Sequence, residues 1–438
     1  MAQPTPLTRT DTAWHRMDSP VNLMVVNGVM RFDAPLDRAR LEAALTSGLL
    51  RYDRFRQRVE ERPGLFARPR WVDDADFHLD RHLFEETLGG PGDDDLRRAI
   101  EPHLKTPLAP DRPLWQMRLY QGYGGAGSAL FFRIHHCIAD GVALLRVLLA
   151  ACEPVDGAAR EPPRSRPRRP WYWWALLPVT GLLFGLDYLR VSGWLVLRPK
   201  DPATVFKGPL SGDKRIAWTA PQSLPDIKAM AAAAGCKIND LLMTVAAGAL
   251  SRYARERGRP TGEGGVRAIV PVNVRPPAEH DALGNAFAVV TPTLSLAAHG
   301  PTRLKLIQRR MNRLKRSPEP LATLSVTRAF AFMGARLQQR LQRFLLDKGT
   351  LVITNVPGPK KPLALAGVPL AGLMFWVPMF GPIGIGISIF TYGDRVSLGV
   401  LADAELVPDA GPLAAALTAE LEALRGHFLE GPGAPPPH

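Results

Sequence analysis

The sequence predicts an α/β protein built from two halves that each mix strands and helices. Alternating strand and helix patterns occur both before residue 150 and after residue 215. The stretch between them is aperiodic and rich in Pro and Arg at 151–170, which is typical of a linker. Residues 362–393 carry no charge, but prolines, glycines and a period-two run of Ile predict central sheet strands there and no membrane span.

Hydrophobic periodicity defines the elements of the amino-terminal half. In order, it predicts a strand at 21–32, a helix at 36–50, short strands and turns at 55–83, a helix capped by Asp93 and Asp94 that runs to Leu104, and strands that end at Tyr120 and Ile134. The glycine-rich segment between the last two strands opens no helix. It therefore predicts a hairpin and no dinucleotide site.

The carboxy-terminal half shows the same mixture of periods. In order, it predicts a strand at 215–218, helices at 224–234 and 241–255, strands at 268–274 and 287–296, a basic amphipathic helix at 303–316, a helical run at 321–346, strands at 350–356 and 395–402, and a closing helix at 413–428. The Gly/Pro-rich tail at 431–438 is predicted to be disordered.

Two adjacent histidines occupy a turn between a predicted buried strand at 129–134 and a predicted helix at 142–149. The turn reads His-His-Cys-Ile-Ala-Asp-Gly over residues 135–141. A histidine can take a proton from an alcohol and return it to a leaving group near neutral pH. Asp140 can brace the loop, and the final glycine permits a tight turn and close approach of a ligand. The alternative interpretation is a purely structural histidine at a strand end.

Composition limits the partners and the compartment. The net charge of +14 predicts an anionic partner, which would be nucleic acid, a membrane surface or a phosphorylated molecule such as CoA. The three cysteines show no paired spacing, so neither a disulfide framework nor a zinc site is expected. Residues 1–15 contain no apolar segment typical of a secretory signal, and we expect a cytoplasmic location.

An apolar, aromatic segment at 171–197 follows the linker. Pro178 and Asp187 interrupt it, so we expect a hairpin that lies on a membrane surface or inserts shallowly into it, not a span. Residues 160–215 contain eleven Lys and Arg against four Asp and Glu, and these flank Trp171, Trp173 and Trp174. The alternative is an ordinary buried helical pair. Because the charge clusters beside apolar segments, it favours a lipid partner over nucleic acid.

Six short motifs occur in the order found in one enzyme family. They are Pro113-Leu-Trp115, His135-His-x-x-x-Asp-Gly141, Phe206-Lys-Gly-Pro-Leu-Ser-Gly212, Asn239-Asp240, Pro271-Val-Asn-Val-Arg275 with Leu283-Gly-Asn285, and Asn355-Val-Pro-Gly-Pro359. The chain thus resembles the bacterial wax ester synthase/diacylglycerol acyltransferase family, which is related to chloramphenicol acetyltransferase. Residues 11–18 depart from the family's commoner Leu-Asp-x-x-Phe opening, so the resemblance does not define the acceptor pocket.

The resemblance implies two chloramphenicol-acetyltransferase-like α/β domains with a channel between them. An amino-terminal domain would span 1–150, a linker with the membrane-associating segment 151–214, and a carboxy-terminal domain 215–430. Acyl-CoA would enter the channel from one face and the alcohol from the other. No cofactor is expected, because acyl-CoA is a substrate, and the histidine spacing predicts no metal site.

The resemblance also implies roles for single residues. The expected catalytic residues are His136, His135, Asp140 and Asn239, and the expected substrate-binding residues are Gly141, Trp115, Asn355 and Gly358. His136 would be the general base and Asn239 the donor to the tetrahedral oxyanion. Asp140 would hold the loop, and His135 would support it.

The expected activity is acyl transfer to a long-chain alcohol or diacylglycerol, giving wax ester or triacylglycerol. Two alternatives remain: acylation of a specialised-metabolite hydroxyl, and non-catalytic binding to a lipid surface. We expect peripheral association with an anionic inner membrane or with lipid bodies, and no nucleic-acid partner.

Overall fold

A computed structural model describes residues 3–64, 67–155, 177–259, 265–273, 285, 287–315, 317–330 and 332–430. The Pro/Arg-rich linker from residue 156 onward, Trp171, Trp173, Trp174, the Arg275 and Leu283 motif positions and the predicted disordered tail lie outside the described residues.

The amino-terminal half forms four described helices and eight described strands. The helices are α1 (Arg9–His15), α2 (Arg38–Gly48), α3 (Asp93–Leu104) and α4 (Gly141–Ala150). The strands are β1 (Thr5–Pro6), β2 (Val25–Phe32), β3 (Gln57–Glu60), β4 (Arg70–Asp73), β5 (Leu83–Thr87), β6 (Trp115–Tyr123), β7 (Gly127–His135) and β8 (Cys152–Pro154).

The remaining described residues form seven further helices and ten strands. The helices are α5 (Leu177–Leu197), α6 (Leu224–Ala233), α7 (Ile238–Glu256), α8 (Gly300–Lys315), α9 (Glu319–Phe330), α10 (Ala335–Leu346) and α11 (Gly411–Arg425). The strands are β9 (Lys214–Trp218), β10 (Gln222–Ser223), β11 (Val266–Asn273), β12 (Phe287–Val290), β13 (Thr293–Leu294), β14 (Leu351–Pro357), β15 (Leu363–Leu365), β16 (Val368–Trp376), β17 (Ile385–Tyr392) and β18 (Arg395–Asp403).

Two large sheets carry the two halves, and they exchange strands. The first has the order β5-β6-β7-β2-β16-β15-β8, and the second has the order β10-β18-β17-β14-β11-β12, with β13 beside β11 and β9 beside β18. β1, β4 and β3 form a small third sheet. A simple division at residue 215 is therefore wrong in one respect, because β15 and β16 belong to the first sheet. β8, which was predicted to begin the linker, pairs with β15 in the same sheet.

Three predicted helical segments differ from the structure for identifiable reasons. The described part of the predicted surface hairpin is one helix, α5. Pro178 lies in its first turn, where a missing N–H removes no helical hydrogen bond. The run predicted at 321–346 is two helices, α9 and α10, and Gly334 is the N-cap of the second. Asn239 and Asp240 lie within the first turn of α7 and do not precede it.

Among the described residues, no helix is long and apolar enough to cross a bilayer. One side of α5 packs on α9 through Val191, Leu195 and Ala322. Leu189 and Leu197, on the same helix, are exposed. The helix thus has one packed side and one exposed apolar side.

A buried carboxylate, Asp403, joins the halves at the end of β18. It accepts hydrogen bonds from the backbone N–H of Ser211 (2.9 Å), the Ser211 hydroxyl (2.9 Å) and the backbone N–H of Gly212 (2.9 Å). The Nζ of Lys214 donates to Asp403 at 3.0 Å and to Asn22 at 2.9 Å. Lys214, two residues beyond the segment that resembles the family's interdomain signature, therefore links Asp403 to Asn22 in the amino-terminal half.

Candidate active site

His136 lies directly beyond β7, where the first sheet meets the second. Its backbone N–H donates to the carbonyl of Met24 at 2.7 Å, which extends the pairing of β7 with β2. Asp140 is the N-cap of α4, and its Oδ1 accepts from the backbone N–H of Ala143 at 3.0 Å. The predicted strand, turn and helix thus hold the histidine with backbone bonds on both sides.

The imidazole of His136 is buried among aromatic rings. The indole of Trp14 stacks on it with ring centroids 5.1 Å apart, and Phe287 lies 5.6 Å away. Burial lowers the pKa of His136 below its ordinary 6.5, although the Asp140 carboxylate acts in the opposite direction. A neutral imidazole at pH 7 can accept a proton, as a general base requires.

Asn285 ties the histidine loop to α1. Its Nδ2 donates to the backbone carbonyl of His136 at 2.8 Å and to Asp11 at 2.9 Å. Arg54 lies 3.4 Å from the other oxygen of Asp11 and donates to the Ile138 carbonyl at 2.6 Å. Burial raises the pKa of Asp11 in spite of these partners. Asn285 and Arg54 therefore brace the loop directly, and Asp11 of α1 contacts both of these side chains.

His135 faces away from His136 and is held by the protein. Its Nδ1 accepts from the backbone N–H of Cys137 at 3.1 Å, and its Nε2 lies 3.3 Å from Asp18. The Nε2 of His15 pairs with Glu61 at 3.0 Å. Burial acts against protonation of His15, but bonds to Cys137 and Glu61 raise its pKa to about 9.

The ligand atoms of His15, His135 and Cys137 lie within 4.8 Å of one another, an arrangement that the spacing along the sequence did not suggest. Such a donor set could in principle hold a metal ion. The Nε2 atoms of His135 and His15 are engaged with Asp18 and Glu61, whereas the buried Nδ1 of His15 has no hydrogen-bond partner among the described residues. Through Asp18 and the backbone of Cys137, His135 supports the loop.

A cavity of about 120 Å³ opens in front of His136. Both halves line it, and most of its side chains are apolar: Trp14, Met24, Val26, Val142, Ile269, Phe287, Val289, Val352, Phe375, Val377 and Phe380. Its polar members include Asp140, Thr354 and Asn355. Gly141 also lines it, and an added Cβ there would meet nothing within 4 Å. The glycine leaves space for a ligand, but its helical position requires no special turn.

The predicted oxyanion donor, Asn239, does not line this cavity. Its Oδ1 accepts from the Nδ2 of Asn355 at 3.4 Å, and its own Nδ2 faces the sulfur of Met243 at 3.4 Å. Asn355 is the member of this pair that reaches the cavity.

Two predicted substrate-binding residues lie in packed regions away from the cavity lining. Trp115 is buried in the core of the first sheet, where its Nε1 donates to the Phe55 carbonyl at 2.9 Å and its ring stacks on His82. The backbone of Gly358 lies against β17, and an added Cβ would come within 2.1 Å of the Thr391 oxygen. Packing accounts for both positions, and neither residue is in the lining of the cavity in front of His136.

Sequence reasoning missed the contribution of α1, which brings Asp11 and Trp14 to the site. A signal was present, since Thr8 and Asp11 have the spacing of a helix N-terminus. The Thr8 hydroxyl accepts from the backbone N–H of Asp11 at 3.0 Å. The same short segment departs from the family's commoner opening.

Two family models match the chain. The wax ester synthase/diacylglycerol acyltransferase catalytic domain matches residues 7–172, and the WS/DGAT C-terminal domain matches residues 283–425. A probable diacylglycerol O-acyltransferase of Mycobacterium tuberculosis (strain ATCC 25618 / H37Rv) is 26% identical over 402 residues, covering 86% of each chain.

Solved structures with the same fold include the wax ester synthase/diacylglycerol acyltransferase of Marinobacter aquaeolei VT8. It has a TM-score of 0.71 at 23% identity and covers 96% of this chain and 98% of that one. The first condensation domain of the calcium-dependent antibiotic synthetase has a TM-score of 0.65 at 16% identity, covering 99% and 98%. These likenesses confirm the two-domain, chloramphenicol-acetyltransferase-like fold.

The matched catalytic-domain model and the curated relatives identify the chain as an acyltransferase. The chain belongs to the wax ester synthase/diacylglycerol acyltransferase family.

Proposed function

We propose that the protein transfers a fatty acyl group from acyl-CoA to the hydroxyl of a long-chain alcohol or diacylglycerol. One observation carries this proposal: His136, held neutral by burial, faces an apolar cavity lined by both halves of the chain. Curated relatives named as diacylglycerol O-acyltransferases support the acceptor class.

In the proposed reaction, His136 takes the proton of the acceptor hydroxyl as its oxygen attacks the thioester carbonyl. The carbonyl π electrons move to oxygen and give a tetrahedral oxyanion. The oxyanion then collapses, the carbon–sulfur bond breaks, and protonated His136 gives its proton to the departing CoA thiolate. The products are an ester and free CoA, and the imidazole returns to its starting state.

The oxyanion requires a hydrogen-bond donor, and we propose that the Asn239–Asn355 pair supplies it. Asn355 lines the cavity, and Asn239 contacts its amide. In this proposal Asn355 reaches the oxyanion and Asn239 supports it, whereas the family resemblance implies Asn239 as the donor. A pre-organised donor at such a site contributes ~2.7–4 kcal/mol to the transition state.

The lining of the cavity favours lipid acceptors over polar metabolites. A polar acceptor would leave its hydroxyl groups without partners against the Val, Ile and Phe side chains around His136. An alkyl chain has no such requirement.

We also propose that the protein works at an anionic lipid surface, because its products would be insoluble in water. Exposed apolar side chains on α5 (Leu189, Leu197) and α10 (Leu337, Phe344) support this proposal. Arg336 and Arg340 of α10 are exposed beside them, which suits anionic headgroups.

An acyl-CoA thiol-release assay across an acceptor panel tests the proposed reaction. Palmitoyl-CoA is offered with hexadecanol, with dioleoylglycerol and with a polar alcohol, and the ester product is identified. We expect release to depend on a lipid acceptor and to be lost in a folded His136→Ala variant. Equal release with the polar alcohol would favour the specialised-metabolite alternative, and no release with any acceptor would refute the proposal.

A further inference from the structure

The cavity in front of His136 is here called the reaction cavity. A second cavity of about 120 Å³ lies behind it. It is bounded by α5, α9 and α10 through Leu195, Val196, Thr323, Val326, Phe330, Leu345 and Leu346. Four side chains line both cavities and so form a shared wall: Trp14, Ile269, Val289 and Phe380. A space large enough for part of a ligand is thus separated from His136 only by this wall.

Trp14 is the member of the wall that touches His136. Its indole also contacts Phe287, with centroids 5.0 Å apart, and Phe380, with centroids 6.1 Å apart. The helix that carries it is anchored, because the Nε2 of Gln338 donates to the Ala13 carbonyl at 2.8 Å. The indole therefore has a fixed position between the reaction centre and the space behind it.

The second cavity suits an alkyl chain. Several of its polar groups are engaged with neighbours: the Thr323 hydroxyl donates to the Val289 carbonyl at 2.7 Å, and Arg198 donates to Thr291 at 2.6 Å. Leu, Val and Phe side chains supply most of the remaining lining. Pockets of this character bind apolar ligand parts and orient them with few polar groups.

We propose that the second cavity is a compartment for the far end of a substrate's alkyl chain and that Trp14 is the partition that limits how much chain enters it. This inference rests on the proposed function, because the reacting carbon of that substrate must lie at His136. Each methylene that gains a buried position strengthens binding about fourfold. Trp14 is thereby a specificity-determining residue for chain length.

The test compares parent, Trp14→Ala and Trp14→Phe by the ratio of kcat/KM for a long substrate to that for a short one. One arm varies the donor, palmitoyl-CoA against hexanoyl-CoA, with a fixed acceptor. The other arm varies the acceptor, hexadecanol against hexanol, with a fixed donor. We expect the ratio to rise at least about tenfold in Trp14→Ala and to stay near the parental value in Trp14→Phe. The arm that responds identifies whose chain occupies the compartment.

A second substitution tests the compartment itself. Val326 lines only the second cavity, so Val326→Trp added to Trp14→Ala should fill it and return the ratio to the parental value. Ser325→Trp, on the exposed side of the same helix, is the matched control and should leave the raised ratio unchanged.

Two outcomes would overturn the inference. The first is an unchanged ratio in a folded Trp14→Ala variant that loses activity equally on all substrates, because Trp14 would then only pack against His136. The second is a raised ratio that Val326→Trp does not reverse. If Trp14→Ala does not fold, Trp14→Leu takes its place. A parent that releases no thiol from any acyl-CoA refutes the proposed function separately.

Discussion

Two buried carboxylates take part in contacts between the halves of this protein, and their pKa values are shifted in opposite directions. Asp403 and Asp11 both have 0% exposure. Burial alone would raise the pKa of Asp403, but the donors from Ser211 and Lys214 outweigh it and lower that pKa. At Asp11 burial prevails over Arg54 and Asn285, and the pKa is raised.

The difference separates a structural joint, at Asp403, from a joint beside the candidate active site, at Asp11. The carboxylate of Asp403 accepts five hydrogen bonds: from the backbone and hydroxyl of Ser211, the backbone of Gly212, the backbone of Glu405 and the Nζ of Lys214. The Asp11 joint is less well compensated, and its partner Asn285 contacts the backbone of His136. Under-compensated groups concentrate at functional sites, because such sites place chemistry ahead of stability.

Loss of the His136 imidazole should have the largest effect on activity. We expect His136→Ala to lower kcat/KM by ~10²–10⁴-fold, because His136 is the imidazole of the turn that lines the cavity and so can take the acceptor proton. The melting temperature should stay close to the parental value. His135→Ala is the control and should reduce activity less, since that ring faces Asp18. A greater loss of activity in His135→Ala than in His136→Ala would mean that His135 is the base and that the assignment to His136 is wrong.

Loss of Asp403 should lower the free energy of unfolding more than loss of Asp11. Asp403→Ala leaves Lys214 buried without its carboxylate, and we expect a loss of ~3–5 kcal/mol in the free energy of unfolding, measured with urea. Asp11→Ala should lose only about 1–2 kcal/mol, because its charge was poorly compensated. Equal losses at the two positions would contradict the distinction between the joints.

The amide pair should affect turnover more than binding. A donor to the oxyanion acts chiefly in the transition state, so Asn355→Ala should lower kcat about 10²-fold with little change in KM. Asn239→Ala should have a smaller effect, because its Nδ2 faces Met243. A variant of Asn355 that changes only KM would make this residue a binding group.

The sequence predicts the local structure around the histidine pair well, because that information is local. The strand and the helix on either side of the turn were predicted and are β7 and α4. The N-cap role of Asp140, which was predicted only to brace the loop, is also local, since Asp140 directly precedes α4. The strand exchange of β15 and β16 was not predicted, because a charge-free run indicates strands but not which sheet they join. The Asp11–Asn285 contact links residues 274 positions apart, and no local pattern encodes such a pair.

Acidification should change the contributions of Asp403 and Asp11 to the free energy of unfolding in opposite directions. The lowered pKa of Asp403 gives stability that is present above its ordinary 3.8 and lost as the pH falls through its folded value. The raised pKa of Asp11 gives a contribution that is complete below 3.8 and lost as the pH rises through its folded value. Urea unfolding from about pH 6 to about pH 3 should therefore show a flatter acid decline in Asp403→Asn and a steeper one in Asp11→Asn. The same sign of change in both variants would contradict the pKa directions.

The smallest expected effect per residue lies at the surface, where charges are solvated and no joint is involved. Each basic residue near an anionic leaflet contributes ~1 kcal/mol, which salt screens. Arg336→Gln with Arg340→Gln on α10 should therefore weaken binding to phosphatidylserine vesicles by about 2 kcal/mol in a flotation assay and leave turnover of soluble substrates intact. Arg309→Gln with Arg313→Gln removes the same charge from exposed positions of α8 and is the matched control. Because α8 lacks the exposed Leu337 and Phe344 that accompany the α10 arginines, the control should bind like the parent. Equal weakening by both pairs would mean that net charge alone attracts the protein and that α10 has no special part in docking.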